Sequence, residues 1–235
     1  MPFSLEILLA LPFVMAAATA LLWRTSRSIT AWLAAAAPLG GLVILATLTP
    51  AVLRGEVIGS QYAWLPQIGL MFSLRLDGLA WMFALLVLGI GALVVMYAHY
   101  YLSARDSASR FFAYLMLFMG AMLGMVLSGN LLLLMVFWEL TSISSFLLIG
   151  FWSHRKDARE GARMAFVLTA GGGLALLGGI LMIGRIVGSF QLDAVLAAGD
   201  LIRASPLYPY ALGLVLLGIF TKSAQFPFHF WLPHA

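Results

Sequence analysis

The sequence predicts an all-α fold, a polytopic membrane helix bundle of about seven transmembrane helices, and three observations carry that expectation. Of its 235 residues, 63% are hydrophobic and only 9% are charged, with a mean hydropathy of +1.03. The apolar residues come in runs close to the roughly 20 residues that a helix needs to cross a ~30 Å hydrocarbon core. The 13 basic and nine acidic residues stand almost entirely between those runs. A soluble domain is about half apolar and about a quarter charged, so this chain has too little polar surface to cover a globular core. That balance excludes a soluble enzyme, a disordered tail or a nucleic-acid-binding domain. The formal net charge of +4 does not alter this, because the basic residues are scattered between apolar runs and form no basic face. There is no cysteine, hence no disulfide, thiolate metal site or redox pair.

The runs fall at residues 7–23, 31–53, 78–102, 111–128, 131–152, 164–184 and 207–226. Ala16-Ala17-Ala18 in the first resembles a signal-peptide cleavage region, but the charges are misplaced for one. Glu6 precedes the run, while Arg24 and Arg27 follow it, so it reads as a retained helix. Between runs, the first, third and fifth loops hold Arg24, Arg27, Arg105, Arg110, Arg155, Lys156, Arg159 and Arg163. The others hold only Arg54, Arg75, Arg185 and Arg203. Basic loops stay on the cytoplasmic side, which places the N-terminus outside. In the sixth run, Gly171-Gly172-Gly173 and Gly178-Gly179 read as small residues that let helices approach closely, with a hinge as the other reading. Gly89-Ile90-Gly91 lies inside an apolar helix with no preceding strand and is no nucleotide loop. The seventh run is expected to break at Pro227, which has no amide hydrogen for the Ser223 carbonyl and whose ring clashes there. Irregular backbone at membrane depth is tolerated only in a protein interior or beside a water-filled cavity.

Only two charges lie within the runs, Glu139 in the fifth and Lys222 in the seventh. A charge at the bilayer centre costs about 2.5–3.5 kcal/mol on insertion scales, so an intramembrane acid and base read as functional. Glu139 lies about eight residues into its helix, ~12 Å at the helical rise, and Lys222 ~18–22 Å into its own from the same side. Both are then near mid-membrane and close enough in depth to interact. If Glu139 pairs with Lys222, the lysine holds its proton. If Glu139 turns away, Lys222 releases it to a connected acceptor. His229, just past the break, can exchange protons near neutrality and beside an intramembrane lysine reads as a proton-transfer group, with a hydrogen-bonded structural histidine as the other reading. An inert buried pair that only fixes helix register is the structural alternative. His229 and His234 are badly spaced for a helical metal pair, His99 and His234 read as interfacial, and no metal site is expected. Nor does the sequence contain a nucleophile–base constellation or phosphate loop, so no enzyme active site is expected.

Around these residues the chain resembles the antiporter-like membrane subunits shared by respiratory complex I and the Mrp cation/proton antiporters. The matching stretches are Val136-Phe137-Trp138-Glu139-Leu140-Thr141-Ser142 and Phe220-Thr221-Lys222-Ser223-Ala224-Gln225-Phe226-Pro227-Phe228-His229-Phe230-Trp231-Leu232-Pro233, with Leu76-Asp77-Gly78-Leu79 and Met119-Gly120-Ala121-Met122-Leu123-Gly124. The wording is most similar to the large A-type subunits of the Mrp antiporters. The resemblance implies that Glu139, Lys222 and His229 are the proton- and ion-translocating residues, and that no cofactor is used. It implies exchange of protons for a monovalent cation, sodium first, inside a multisubunit complex of the cell membrane. The equivalent proton-pumping subunit of a quinone-reducing or hydrogenase complex is the runner-up. It further implies a division into residues 1–110, helices one to three, and residues 111–235, the start of a first antiporter repeat. Because such subunits carry two inverted repeats, the chain reads as an N-terminal fragment.

Overall fold

A computed structural model describes residues 3–21, 26–103 and 106–235. Arg24, Arg105 and the end of the first apolar run lie outside those residues. Each run forms a helix: α1 (Ser4–Leu21), α2 (Arg27–Leu53), α3 (Gly78–Tyr101), α4 (Ala108–Leu127), α5 (Leu131–Ile149), α6 (Lys156–Val187) and, after two short helices, α9 (Tyr208–Lys222). Six of them, α1 to α6, are long and apolar enough to cross a membrane, whereas α9 is an apolar helix of only 15 residues. The all-α bundle is thus as expected, with the seventh segment shorter than a full span. Helix α6 begins eight residues before its apolar run, because Lys156, Asp157, Arg159, Glu160 and Arg163 lie on its first turns. Its 32 residues extend for about 48 Å, well beyond a ~30 Å hydrocarbon core, so polar turns at its start have room outside it.

Capping side chains fix the helix starts. Asp77 Oδ1 accepts from the Ala80 amide at 2.9 Å, while Oδ2 pairs with Arg75. Burial alone would raise the Asp77 carboxyl, but the Ala80 amide and the Arg75 guanidinium outweigh it and hold the group below the ordinary aspartate value. Asn130 is buried and caps α5: its Oδ1 accepts from the Leu132 and Leu133 amides at 3.0 and 3.2 Å, and its Nδ2 donates to the Gly69 carbonyl at 3.0 Å.

The chain divides into two compact units. In one, comprising residues up to Ser60 and Leu74–Leu127, α1 packs on α2 and α4, and α3 packs on α2 and α4. Leu8, Leu45, Leu88, Phe112, Met116 and Leu123 are fully enclosed there. Trp32, Leu93 and Tyr100 face outward, as suits a surface solvated by lipid. In the other, Gln61–Ser73 and Ser128–Ala235, α6 lies against both α5 and α9. Its apolar centre is Met135, Leu176 and Ile180, packed by Trp138, Leu177, Phe190 and Val215.

Three elements have no counterpart in the hydropathy reading. Residues between α2 and α3 form a β-hairpin, β1 (Ile58–Leu65) and β2 (Leu70–Leu76), around a 3-10 turn at Pro66–Ile68 that closes on Gly69 with φ +78°. The long connection before α9 holds α7 (Leu192–Ala197) and α8 (Gly199–Ala204). The break in the seventh segment also starts earlier than Pro227. Helix α9 ends at Lys222, and Ala224 adopts a left-handed φ of +51°. The Gln225 amide then donates back to the Phe220 carbonyl at 2.9 Å. That is a Schellman-type stop, which ends the helix a turn before the proline ring could. Pro227 instead leads into a 3-10 segment, Phe228–His234.

Candidate functional site

Glu139, Ser142 and Trp138 belong to α5, Gly172 and Gly173 to α6, and Thr221 and Lys222 to α9. A residue and those three and four positions on share a helix face, so Ser142 sits one turn beyond Glu139 and Trp138. Lys222 reaches that turn. Its Nζ donates to Ser142 Oγ at 2.7 Å and stands 5.5 Å from the centre of the Trp138 ring, within cation–π range. Ser142 Oγ in turn donates to the Trp138 carbonyl at 3.4 Å, leaving a lone pair for the lysine.

Glu139 lies beside this arrangement and outside it. Among the described residues, no ion pair joins it to Lys222, and its Oε1 is buried without a hydrogen-bond partner. The two groups still sense each other's charge. The carboxylate points at Gly173: a Cβ built there would overlap Oε1 and stand 3.0 Å from Cδ. Glu139 and Lys222 thus lie near enough to sense each other's charge, with the lysine held on a hydroxyl and not on the carboxylate. Ser142 is not among the candidates that the sequence suggests. Its spacing of three from Glu139 is the one signal that points to it.

The end of α9 is tied to the same place. Trp231 Nε1 donates to the Thr221 carbonyl at 3.0 Å, satisfying a carbonyl that the break would otherwise free. Thr221 is buried, and its Oγ1 donates to the Gly218 carbonyl at 2.8 Å. His229 is brought to neither charge. It is exposed, its ring stacks on Phe226 with centroids 5.7 Å apart, and among the described residues it makes no hydrogen bond to Lys222. Among the described residues, no three His, Cys, Asp or Glu side chains gather to hold a metal ion.

Gly172 and Gly179 of α6 act in close helix packing, which at these two positions favours that reading over a hinge. At Gly172 a Cβ would overlap Thr221 Oγ1 and stand 2.7 Å from Thr221 Cβ, and at Gly179 it would stand 2.7 Å from Val215 Cγ2 and 2.9 Å from the Ala211 carbonyl. Thr221 is short, branched and hydrogen-bonded, so it has nowhere to withdraw. Gly172→Ala is therefore expected to force α6 from α9 and cost about 1–3 kcal/mol, the usual penalty of overpacking. Thermal unfolding of the detergent-purified protein measures it, and Thr221→Ala in the same chain, which removes Oγ1 and Cγ2 but keeps the Cβ at 2.7 Å, should recover only part of the loss.

Residues 128–235 match the model described as NADH:quinone oxidoreductase/Mrp antiporter, TM, and residues 64–112 match NADH-Ubiquinone oxidoreductase (complex I), chain 5 N-terminus. A probable K(+)/H(+) antiporter A/B subunit of Rhizobium meliloti is 57% identical over 89% of this chain and 21% of its own length. The Na(+)/H(+) antiporter A1 subunit of Staphylococcus aureus is 42% identical over 98% of this chain and 29% of its own length. The chain thus spans less than a third of the length of these curated relatives. Among solved structures, a chain of the Mrp complex from a Dietzia species matches 98% of this chain and 25% of its own length, with a TM-score of 0.87 and 32% identity. A chain of an archaeal membrane-bound sulfane sulfur reductase matches the fold over 98% of this chain and 36% of its own length, with a TM-score of 0.80 and 24% identity.

Proposed function

The chain belongs to the antiporter-like membrane family that links NADH:quinone oxidoreductase with the Mrp antiporters, and on that premise we propose that it is part of the ion-translocating subunit of a cation/proton antiporter. The observation that carries this reading is the reach of Lys222, the last residue of α9, onto Ser142 and Trp138 in the middle of α5, beside a carboxylate with an unpartnered oxygen. An ammonium held by a neutral hydroxyl, with a carboxylate in reserve, has two alternative partners. When Glu139 closes on Lys222, the proton stays on the lysine; when Glu139 withdraws, the lysine gives it up. His229, beyond the break in α9, is the acceptor in this scheme. A rearrangement of the 3-10 segment has to carry it there, since it now stacks on Phe226.

The exchanged ion is a monovalent cation. The relative at 57% identity is named for potassium and the one at 42% for sodium, so both ions enter the test. The subunit works without a cofactor, beside other subunits of a membrane complex, in the cell membrane. The distribution of Arg and Lys between loops orients the N-terminus outward. The test uses everted membrane vesicles carrying the full-length subunit with its partner subunits in an antiporter-deficient host. Sodium or potassium should collapse a preformed pH gradient within seconds and at micromolar to millimolar ion. The second reading, a proton-pumping subunit of a quinone-linked respiratory complex, draws on the complex I model matched at residues 64–112. It predicts no cation-dependent collapse, and a pH gradient that forms only with NADH and quinone.

A further inference from the structure

We infer that Gly173 is a positioning residue for Glu139, in that the missing side chain at this one place on α6 forms the slot that keeps the carboxylate away from Lys222. The inference rests on the proposed role of Glu139 in proton transfer.

Glycine is a poor helix former, and within a helix it is less stable than alanine. Three successive glycines in the middle of α6 therefore need reasons, and their surroundings differ. A Cβ at Gly171 would meet nothing within 4 Å, so no neighbour demands glycine there. At Gly172 the obstacle is Thr221, a short side chain held by its bond to the Gly218 carbonyl. At Gly173 the obstacle is the carboxylate of Glu139: its Oε1 would be overlapped, its Cδ would lie at 3.0 Å and its Oε2 at 3.5 Å. That group is the far end of a flexible chain with three rotatable bonds. A methyl at 173 would leave the helices where they are and move the carboxylate.

Where the carboxylate would go follows from charge. Lys222 Nζ is one helical turn along α5, on Ser142, and it attracts Glu139 across the gap. Displaced from the slot, Glu139 would close on Lys222 and hold it protonated. With Gly173, the carboxylate has a resting place in which Oε1 makes no hydrogen bond, a costly position for a polar atom that favours an easy return. The slot thus keeps the pair open and ready to close. The fold does not need glycine at 173, but the pair does.

The test is a set of single changes in the full-length subunit of the assembled complex, read as cation-driven proton flux per assembled complex. Gly173→Ala should assemble normally and lose at least tenfold in flux, while Gly171→Ala keeps wild-type flux. Glu139→Asp shortens the side chain by one methylene and clears the new methyl. The double variant Gly173→Ala/Glu139→Asp should therefore regain several-fold over Gly173→Ala, a recovery that a merely structural glycine does not give. Wild-type flux in Gly173→Ala, its failure to assemble, or no recovery in the double variant would each overturn the inference. Glu139→Gln, run beside them, separates the two layers. If it retains flux, the proton-transfer role itself is wrong. If it is inactive while Gly173→Ala is fully active, only the positioning role falls.

Discussion

Replacing Lys222 by arginine is expected to stop cation/proton exchange as thoroughly as replacing it by alanine, by a factor on the order of 10² or more, the usual size of a lost proton-transfer group. The comparison separates charge from proton. Arginine keeps the positive charge, can lie over the Trp138 ring and can donate to Ser142 Oγ, the two contacts that Lys222 makes. It does not give up a proton near neutrality. If the site needs only a buried cation to hold α9 on α5, Lys222→Arg works and Lys222→Ala fails. If the site moves the lysine's own proton, both fail. Loss of the charge should not prevent assembly, because an intramembrane lysine itself costs about 2.5–3.5 kcal/mol on insertion scales. Co-purification of the partner subunits checks that directly.

Glu139→Gln is the second change with a large expected effect, again a loss of at least tenfold in exchange. Glutamine has the same shape and fits the space opposite Gly173 that the carboxylate fills. It carries no charge toward Lys222 and takes up no proton. Assembly and thermal stability should change little, since the helix contacts of Met135, Leu176 and Ile180 are untouched. The double replacement Glu139→Gln/Lys222→Met decides against an inert pair. An inert pair predicts normal assembly with normal exchange, because well-packed neutral residues often replace a buried ion pair without loss. The proposed role predicts normal assembly with no exchange.

Much of this site is legible in the amino-acid sequence, and the reason is energetic. Hydrocarbon penalises charge so heavily that Glu139 and Lys222 stand out in apolar runs, and the same penalty makes the runs themselves visible. The third run, residues 78–102, corresponds to the helix Gly78–Tyr101, and the first residue of the fifth run, Leu131, is the first residue of α5. What hydropathy misses is structure that carries no such penalty. The hairpin at Ile58–Leu76 alternates mildly and resembles a loop, and the short helices α7 and α8 lie in a connection with ordinary polarity. The first turns of α6 escape notice for the opposite reason, since a helix that runs past the hydrocarbon core has no need of apolar residues there. The helix end at Lys222 depends on a backbone choice at Ala224 that the side chain does not announce. Ser142 and Gly173 are out of reach because their meaning is pairwise. Ser142 matters once Lys222 arrives from α9, and Gly173 once α5 presents Glu139 to it. His229 shows the reverse case, a residue whose chemistry suits the role although its exposed ring, stacked on Phe226, does not touch Lys222.

In the proposed exchange, the proton that moves against a cation passes through Lys222. The most direct measurement is cation-driven proton flux in proteoliposomes of the complete complex, comparing wild type with Lys222→Arg at equal assembly. Flux in the wild type with loss of at least 99% of it in Lys222→Arg, about the 10²-fold effect of removing a proton-transfer group, is the predicted result. Flux in Lys222→Arg near the wild-type rate would show the reverse, that a cation that does not release its proton suffices and Lys222 carries none.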